Sequence, residues 1–354
     1  MSAGSAHNCL FRGASVSVTS GSATPCGCCD WVPRLGTAIG SCDWALRSKT
    51  GIAPRLRASV EARNGDQSPL VGRADVADTA LVLGGGGLTA YAWQVGMLAG
   101  LADAGLDLGG ADVLAGTSAG SLLAVELAAG AAPADLYEVQ VARKRAMMEV
   151  DFTFFMTVKY LWAALGSRDP ATVVKRLGRL SLNVRDVTET DVFDAIRPQL
   201  PVQDWPERPV RLFAVDALTG EPTGFSADSG VDLVTAMSAT CALPPLFPPI
   251  TIGAGRWMDG GVRSTTNADL VRDCRRVVAL APIPDVPGAT PSAFDQVASL
   301  EAGGTRAALL VPDRAARRAF GRNALDASRI PGAAQAGLRQ AAEYAEEVRA
   351  VWHG

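Results

Sequence analysis

Two stretches of sequence indicate the fold, Thr79-Ala-Leu-Val-Leu-Gly-Gly-Gly-Gly87 and Ala111-Asp-Val-Leu-Ala-Gly-Thr-Ser-Ala-Gly120. Each begins with a short, mostly apolar run, as expected for a strand that is buried on both faces. Each run ends at glycine, and an apolar helical pattern follows, over 91–104 and over 121–129. Two successive strand–turn–helix units predict an α/β fold around a mainly parallel sheet.

The remaining pattern extends this fold. Residues 134–200 are mainly helical in character, and Asn267 is expected to cap a helix that begins at Ala268. The other elements that we predict are strands at 210–215, 277–281 and 307–311 and helices at 231–241 and 335–352.

The chain is expected to contain one domain with an N-terminal extension. No internal repeat or linker-like gap follows residue 77, so we assign the domain to 77–354. Residues 1–76 are predicted to be a disordered extension, or upstream sequence translated from a wrongly assigned start.

Cysteine usage gives no sign of a metal site. Five of the seven cysteines lie in the first 42 residues. Cys26-Gly-Cys-Cys29 lacks a second cysteine pair at zinc-ribbon spacing. We therefore expect neither a metal nor an organic cofactor, and we expect Cys241 and Cys274 to be reduced core residues.

Composition excludes several classes of protein. The chain has 354 residues, a net charge of −3 and 48% hydrophobic residues, enough for a sizeable core. Dedicated nucleic-acid binders usually show a basic balance, so no nucleic-acid partner is expected. No apolar run approaches the ~18 residues typical of a membrane-spanning helix.

The second glycine-containing turn carries a candidate nucleophile. Gly116-Thr-Ser118-Ala-Gly120 matches the pattern G-x-S-x-G, which places a serine on a strained turn between a strand and a helix. The alternative is an ordinary glycine-rich turn. A serine nucleophile needs a base, usually histidine, yet the two histidines are His7 and His353, near the chain ends. Either Ser118 is not a nucleophile, or a carboxylate is its base.

The first glycine run, Gly84 to Gly87, allows three interpretations. A Walker loop requires a lysine that is absent here, and a dinucleotide fingerprint requires a glycine where Thr89 stands. An oxyanion hole requires only backbone N–H groups that point towards one place. Both glycine turns follow predicted parallel strands, where sites form in open sheets, and this favours the oxyanion hole.

A third motif completes a family resemblance. Asp259-Gly260-Gly261 alone is a common turn. Together and in this order, however, Gly84–Gly87, Gly116–Gly120 and Asp259–Gly261 resemble the three motifs of patatin-like phospholipases. The segments 216–220 and 238–249 also resemble that family, and the similarity covers about 78–354.

The resemblance implies a fold, an activity and a set of residues. The fold is a three-layer α/β/α arrangement, and the activity is hydrolysis of acyl esters, typically of lipids, without a cofactor. Ser118 would be the nucleophile of a Ser–Asp dyad and Asp259 its base. The oxyanion hole would be formed by backbone N–H groups of Gly85, Gly86 and Gly87. The supporting motif glycines would be Gly116, Gly120, Gly260 and Gly261.

One departure from the family pattern concerns charge. The usual glycine motif continues with a basic residue and a further glycine, whereas this chain has Thr89 and Ala90. The backbone donors survive this change, but a cation near the site is lost. The rate, or a preference for anionic head groups, would be affected.

Several alternatives remain at the level of sequence. The dyad could serve an acyltransferase or an esterase for small soluble substrates, or the protein could be a catalytically weak or silent acyl- or lipid-binding module. The aromatic segment 152–162 could form a lipid-facing cap helix or ordinary core. The expected partner is a lipid or other acyl-ester substrate, with a cytoplasmic or peripheral membrane location. The sequence does not indicate an oligomeric state.

Overall fold

The structure is a computed structural model that describes residues 77–142, 167, 169–286 and 291–354. These residues belong to one compact unit. The predictions for 1–76 and for the aromatic segment 152–162 fall outside the described residues.

Eight strands of the described chain form one mixed sheet. They are β1 (Thr79–Leu83), β2 (Val113–Thr117), β3 (Val210–Asp216), β4 (Pro222–Phe225), β5 (Ile250–Ile252), β6 (Gly255–Asp259), β7 (Arg276–Leu280) and β8 (Arg306–Leu310). The order across the sheet is β5-β6-β3-β2-β1-β7-β8, and β4 pairs with β3. Strands β3, β2, β1, β7 and β8 run parallel, whereas β4 and β6 are antiparallel to β3.

Nine α-helices of the described chain surround the sheet. They are α1 (Gly87–Asp103), α2 (Ala119–Ala128), α3 (Pro133–Val141), α4 (Pro170–Leu182), α5 (Glu189–Ile196), α6 (Leu233–Cys241), α7 (Ala293–Ala302), α8 (Arg314–Phe320) and α9 (Ile330–His353). Within the described helices, none combines the length and the apolar character needed to cross a bilayer.

The two faces of the sheet are covered by different helices. Successive side chains of a strand point to opposite faces, so Leu81 and Leu83 of β1 lie on one face and Ala80 and Val82 on the other. The first face packs against α1, α2, α6 and α9. The second packs against α7 and the short turn at 268–271, and α4 covers β3 and β6. The predicted three-layer α/β/α fold is confirmed.

The parallel strands agree closely with the sequence prediction, but the antiparallel part of the sheet was not predicted. Strand β2 begins two residues later than expected because Asp112 does not enter the sheet. Its carboxylate instead accepts hydrogen bonds from the N–H and hydroxyl of Thr79, at 2.9 and 3.1 Å. Strand β6 was missed because it begins at a glycine and is only half-buried over its first residues.

Candidate active site

Ser118 lies at the turn between β2 and α2, in an unusual backbone conformation. Its φ is 54° and its ψ is −121°, a combination that non-glycine residues rarely adopt. Such backbone strain persists only where the surrounding structure imposes it. The conformation matches the elbow expected for G-x-S-x-G, which presents a serine hydroxyl at the carboxyl edge of the sheet.

Close packing explains why glycines flank this serine. A Cβ on Gly120 would lie 2.1 Å from the carbonyl oxygen of Leu83, and one on Gly116 would lie 2.5 Å from the carbonyl oxygen of Gly120. No side chain fits in either place. The N–H of Ala119, the first residue of α2, has no acceptor within the helix, whereas the N–H of Ser121 donates to the Ser118 carbonyl at 2.9 Å.

A buried threonine from α6 supports the elbow from behind. The hydroxyl oxygen of Thr240 accepts a hydrogen bond from the backbone N–H of Ser118 at 3.0 Å. The same hydroxyl donates to the carbonyl of Phe213 in β3 at 2.6 Å and lies 3.1 Å from the hydroxyl of Ser121. Thr240 is fully buried, so these bonds do not compete with water.

Strand β3 brings Ser118 and Asp259 together. Thr117, the last residue of β2, pairs with Phe213, and Asp259, the last residue of β6, pairs with Ala214. Two consecutive positions of β3 therefore align the ends of two strands that are distant in the sequence. The Ser118 side chain lies close enough to the Asp259 carboxyl to lower the pKa of that carboxyl.

Asp259 is almost completely buried, and its ionisation is shifted accordingly. Only 2% of its surface is exposed, and its Oδ1 accepts a hydrogen bond from the N–H of Gly261 at 2.7 Å. Burial raises the pKa of Asp259 to about 6, while the bonds from Gly261 and Ser118 act in the opposite direction. The carboxylate is thus a stronger base than a solvent-exposed aspartate and is still ionised at neutral pH.

Asn267 links the ends of strands β2 and β6. Its side-chain NH₂ donates to the hydroxyl of Thr117 and to the carbonyl of Gly260, both at 3.1 Å. It also donates to the carbonyl of Ser264 at 2.6 Å. The expected cap at this position was wrong, because the side chain makes no capping bond to the 268–271 turn and joins the residues next to Ser118 and Asp259 instead.

The glycine loop lies against the elbow at Gly85, where an added Cβ would be 3.3 Å from the Cβ of Ser118. Gly86 and Gly87 have φ values of 136° and 74°, which L side chains rarely adopt. The N–H of Gly85 donates to the carbonyl of Thr265 at 2.7 Å. Of the three predicted oxyanion donors, Gly85 therefore anchors the loop, and the remaining candidates are Gly86 and Gly87.

A cavity of about 640 Å³ joins these groups. Its volume is within the range of small-molecule sites, which is about 300–1,000 Å³. Ser118, Asp259 and the glycine loop line one part of it. One flank is apolar and is lined by Leu122, Ile196, Leu200, Met237, Leu246 and Phe247.

Comparison with known proteins identifies the family. A sequence model described as patatin-like phospholipase matches residues 81–272, more than half of the chain. The chain belongs to the patatin-like phospholipase family. No curated protein sequence matches this patatin-like chain.

Solved structures with similarity to this patatin-like chain include bacterial effectors. VipD from Legionella pneumophila is 12% identical with a TM-score of 0.40, over 77% of this chain and 67% of VipD. The type III effector ExoU is 14% identical with a TM-score of 0.36, over 77% of this chain and 53% of ExoU. The patatin-like chain thus spans about half the length of ExoU. The family assignment rests on the sequence match.

Cys241 is a second potential nucleophile in the cavity of this patatin-like protein. It is a free, half-buried cysteine that packs against the main core, as expected, and it also lines the cavity, which was not expected. Desolvation by burial and the nearby charge of Asp259 both raise the pKa of the Cys241 thiol. The thiol is therefore protonated at neutral pH, and a protonated thiol is a poor nucleophile.

The sequence did not indicate the roles of three residues of the patatin-like site, although Thr240 lies in the family-like segment 238–249 and Asn267 was expected to be a helix cap. Thr240 and Asn267 act through buried hydrogen bonds, and Arg322 lines the cavity from a loop between α8 and α9. Their spacing from the motifs is irregular, and only the folded sheet brings them close. In the described part of the chain, no cluster of three or more His, Cys, Asp or Glu residues could hold a metal.

Proposed function

We propose that this protein hydrolyses acyl esters of lipids through a Ser118–Asp259 dyad. The observation that carries the proposal is the strained Ser118 facing the buried Asp259 at the wall of a largely apolar cavity. Membership of the patatin-like phospholipase family supports a lipid hydrolase in general. The dyad and its donors are our assignment from the geometry.

The first half of the proposed reaction forms an acyl-enzyme. Asp259 accepts the hydroxyl proton of Ser118 as Oγ attacks the ester carbonyl carbon. The N–H groups of Gly86, Gly87 and Ala119 stabilise the tetrahedral oxyanion, at about 3 kcal/mol for a well-placed donor. The C–O bond to the alcohol then breaks, and protonated Asp259 returns the proton to the departing oxygen.

The second half releases the acid. Water enters beside the acyl group on Ser118 and transfers a proton to Asp259 as it attacks the carbonyl carbon. The same donors hold the second oxyanion. Collapse of this intermediate breaks the bond to Ser118 Oγ, which takes back the proton. One ester and one water yield one alcohol and one acid, and the dyad is regenerated.

The arrangement supports a carboxylate base and an apolar acyl group. The one histidine in the described part of the chain is His353, at the end of α9 and exposed. Asp259 is therefore the available base for Ser118. The apolar flank of the cavity offers an acyl chain a place away from water, which gains about 0.8 kcal/mol per buried CH₂ group.

The proposal is tested by hydrolysis of dihexanoylphosphatidylcholine by wild type, S118A, D259N and C241A. We expect S118A and D259N to lose activity at least about a thousandfold, because each removes a member of one catalytic unit. C241A is the matched control, since it removes the other nucleophilic side chain of the same cavity, and it should retain activity within a few-fold. Hydrolysis by S118A at the wild-type rate would contradict the proposal.

A further inference from the structure

The cavity contains one positively charged side chain that the proposed reaction does not use. Among the described residues that line it, only Asp259 and Arg322 carry a charge. Arg322 is exposed, and within the described chain it makes no ion pair or hydrogen bond. Arg322 is thus the one basic residue of the described lining, and no described carboxylate neutralises it.

The loop that carries Arg322 rests directly on the glycine loop. We call residues 321–326 the Arg322 loop. The carbonyl of Ala324 accepts hydrogen bonds from the N–H and hydroxyl of Thr89, at 3.1 and 3.4 Å. A Cβ on Gly87 would lie 2.8 Å from the side chain of Leu325. Thr89, which replaces a basic residue of the family motif, thus anchors a loop that brings a different cation to the cavity.

The order of the strands places Arg322 away from the apolar flank. Ser118 follows β2, and the glycine loop follows the neighbouring β1. The apolar flank includes Met237 from α6 and Phe247, which come from the chain between β3 and β6 on one side of β2. The Arg322 loop follows β8, on the other side of β1 and β7. An ester bound at Ser118 therefore has room in two directions.

The two directions differ in charge, because the Arg322 side is also lined by Leu88, Ile283 and Leu325 but contains the one basic residue of the described lining. The apolar flank suits the acyl chain, which leaves the alcohol part of the ester to extend along the glycine loop towards Arg322. The planar guanidinium forms paired hydrogen bonds with phosphate oxygens. The Asp259 carboxylate would repel an anionic substrate, so an unpaired arginine on the alcohol side would offset that repulsion.

We propose that Arg322 binds a phosphate group on the alcohol part of the substrate and so makes the enzyme selective for anionic glycerophospholipids. This inference rests on the proposed hydrolysis at Ser118. It assigns Arg322 a role in substrate specificity. The enzyme would then distinguish two otherwise similar esters by their charge.

The test compares two esters with the same acyl chains, dihexanoylphosphatidic acid and neutral dihexanoylglycerol. The kcat/KM of each is measured for the full-length wild type, R322Q, R322K and R318Q. Arg318 is the matched control, because it is an exposed arginine on α8, four residues before Arg322, and does not line the cavity. S118A shows that both hydrolyses use the proposed nucleophile.

We expect R322Q to lower the preference for the phosphate-bearing ester about tenfold, as expected for loss of a charge-assisted hydrogen bond. The change should lie mainly in KM. R322K should retain part of the preference because it keeps the charge without the paired donors. R318Q should keep the wild-type preference.

Three results would overturn the role of Arg322 while the proposed function stands. In the first, R322Q lowers the hydrolysis rates of both esters equally, which would indicate a structural role or oxyanion stabilisation. In the second, R322Q leaves the preference unchanged, and in the third, R318Q lowers the preference by the same factor as R322Q. Wild type that hydrolyses neither ester would overturn the proposed function as well, and activity retained by S118A would overturn the dyad.

Discussion

The fold gives Ser118 an unusual backbone conformation and Asp259 an unusual pKa. Ser118 has a positive φ of 54°, and the pKa of Asp259 is raised by burial to about 6. The first state exposes the serine hydroxyl, and the second makes the carboxylate a better proton acceptor. Histidine supplies this basicity in most serine hydrolases, whereas here burial of an aspartate would supply it.

The raised pKa predicts the pH dependence of the reaction. Asp259 acts as a base only when it is deprotonated, so kcat/KM should increase about tenfold per pH unit below pH 6 and level off above it. A neutral ester is the suitable substrate, because its own charge does not change. A rate that is constant from pH 4 to pH 7, or that falls as the pH rises through 6, would show that a different group controls the reaction.

At this scale the sequence indicated the candidate residues Ser118 and Asp259 but not the contacts around them. Ser118 was indicated by its glycine-flanked turn and Asp259 by the family resemblance. Two other features depend on tertiary contacts between distant segments. They are the hydrogen bond from Gly85 to Thr265 and the position of Cys241 near Ser118 and Asp259. Local patterns carry no information on such contacts.

Strand β3 and helix α6 are the elements that organise the site. Strand β3 aligns Thr117 and Asp259 through its consecutive residues Phe213 and Ala214. Helix α6 contributes Thr240, whose hydroxyl bonds both to β3 and to the backbone of Ser118. The turn that contains Ser118 is thereby tied to the strand that pairs with Asp259.

Removal of the Thr240 hydroxyl should weaken both the fold and the reaction. Valine has a similar shape but cannot accept the Ser118 N–H, and a buried donor left without an acceptor costs about 1–3 kcal/mol. We expect T240V to lower the free energy of unfolding by about that amount and to lower kcat more than it raises KM. Urea unfolding and steady-state kinetics measure the two effects.

T240S is the matched control for this substitution. It keeps the hydroxyl and removes only a methyl group, so it should retain most of the wild-type kcat. If T240V and T240S were equally active, the hydrogen bond to Ser118 would have no role in positioning the elbow.

The parallel strands could be predicted from sequence, whereas the antiparallel strands could not. Strands buried on both faces are continuous apolar runs, which is why β1, β3 and β7 were found close to their observed bounds. Strands β4, β5 and β6 have no such apolar run. They are three to five residues long, and their side chains show little alternation between buried and exposed positions. Their pairing with β3 and with one another decides where they lie.

At the scale of the whole molecule, the order of the strands in the sheet determines which segments lie around Ser118. The chain leaves β2 at Ser118, and the neighbouring segments come from both sides of the sheet, as far as the Arg322 loop after β8. Residues from widely separated parts of the chain therefore share one cavity. The sequence predicted the layers of the fold, but the lining of the cavity requires the strand order, which no single motif encodes.

The most direct test of the central claim is to locate the covalent adduct of a fluorophosphonate probe by peptide mass spectrometry. Such probes react with activated serine hydroxyls. Our account predicts a single adduct on Ser118 in wild type and in C241A, no adduct in S118A, and much slower labelling in D259N. An adduct on Cys241, or the absence of labelling in folded wild type that hydrolyses esters, would contradict the assignment of Ser118 as the nucleophile.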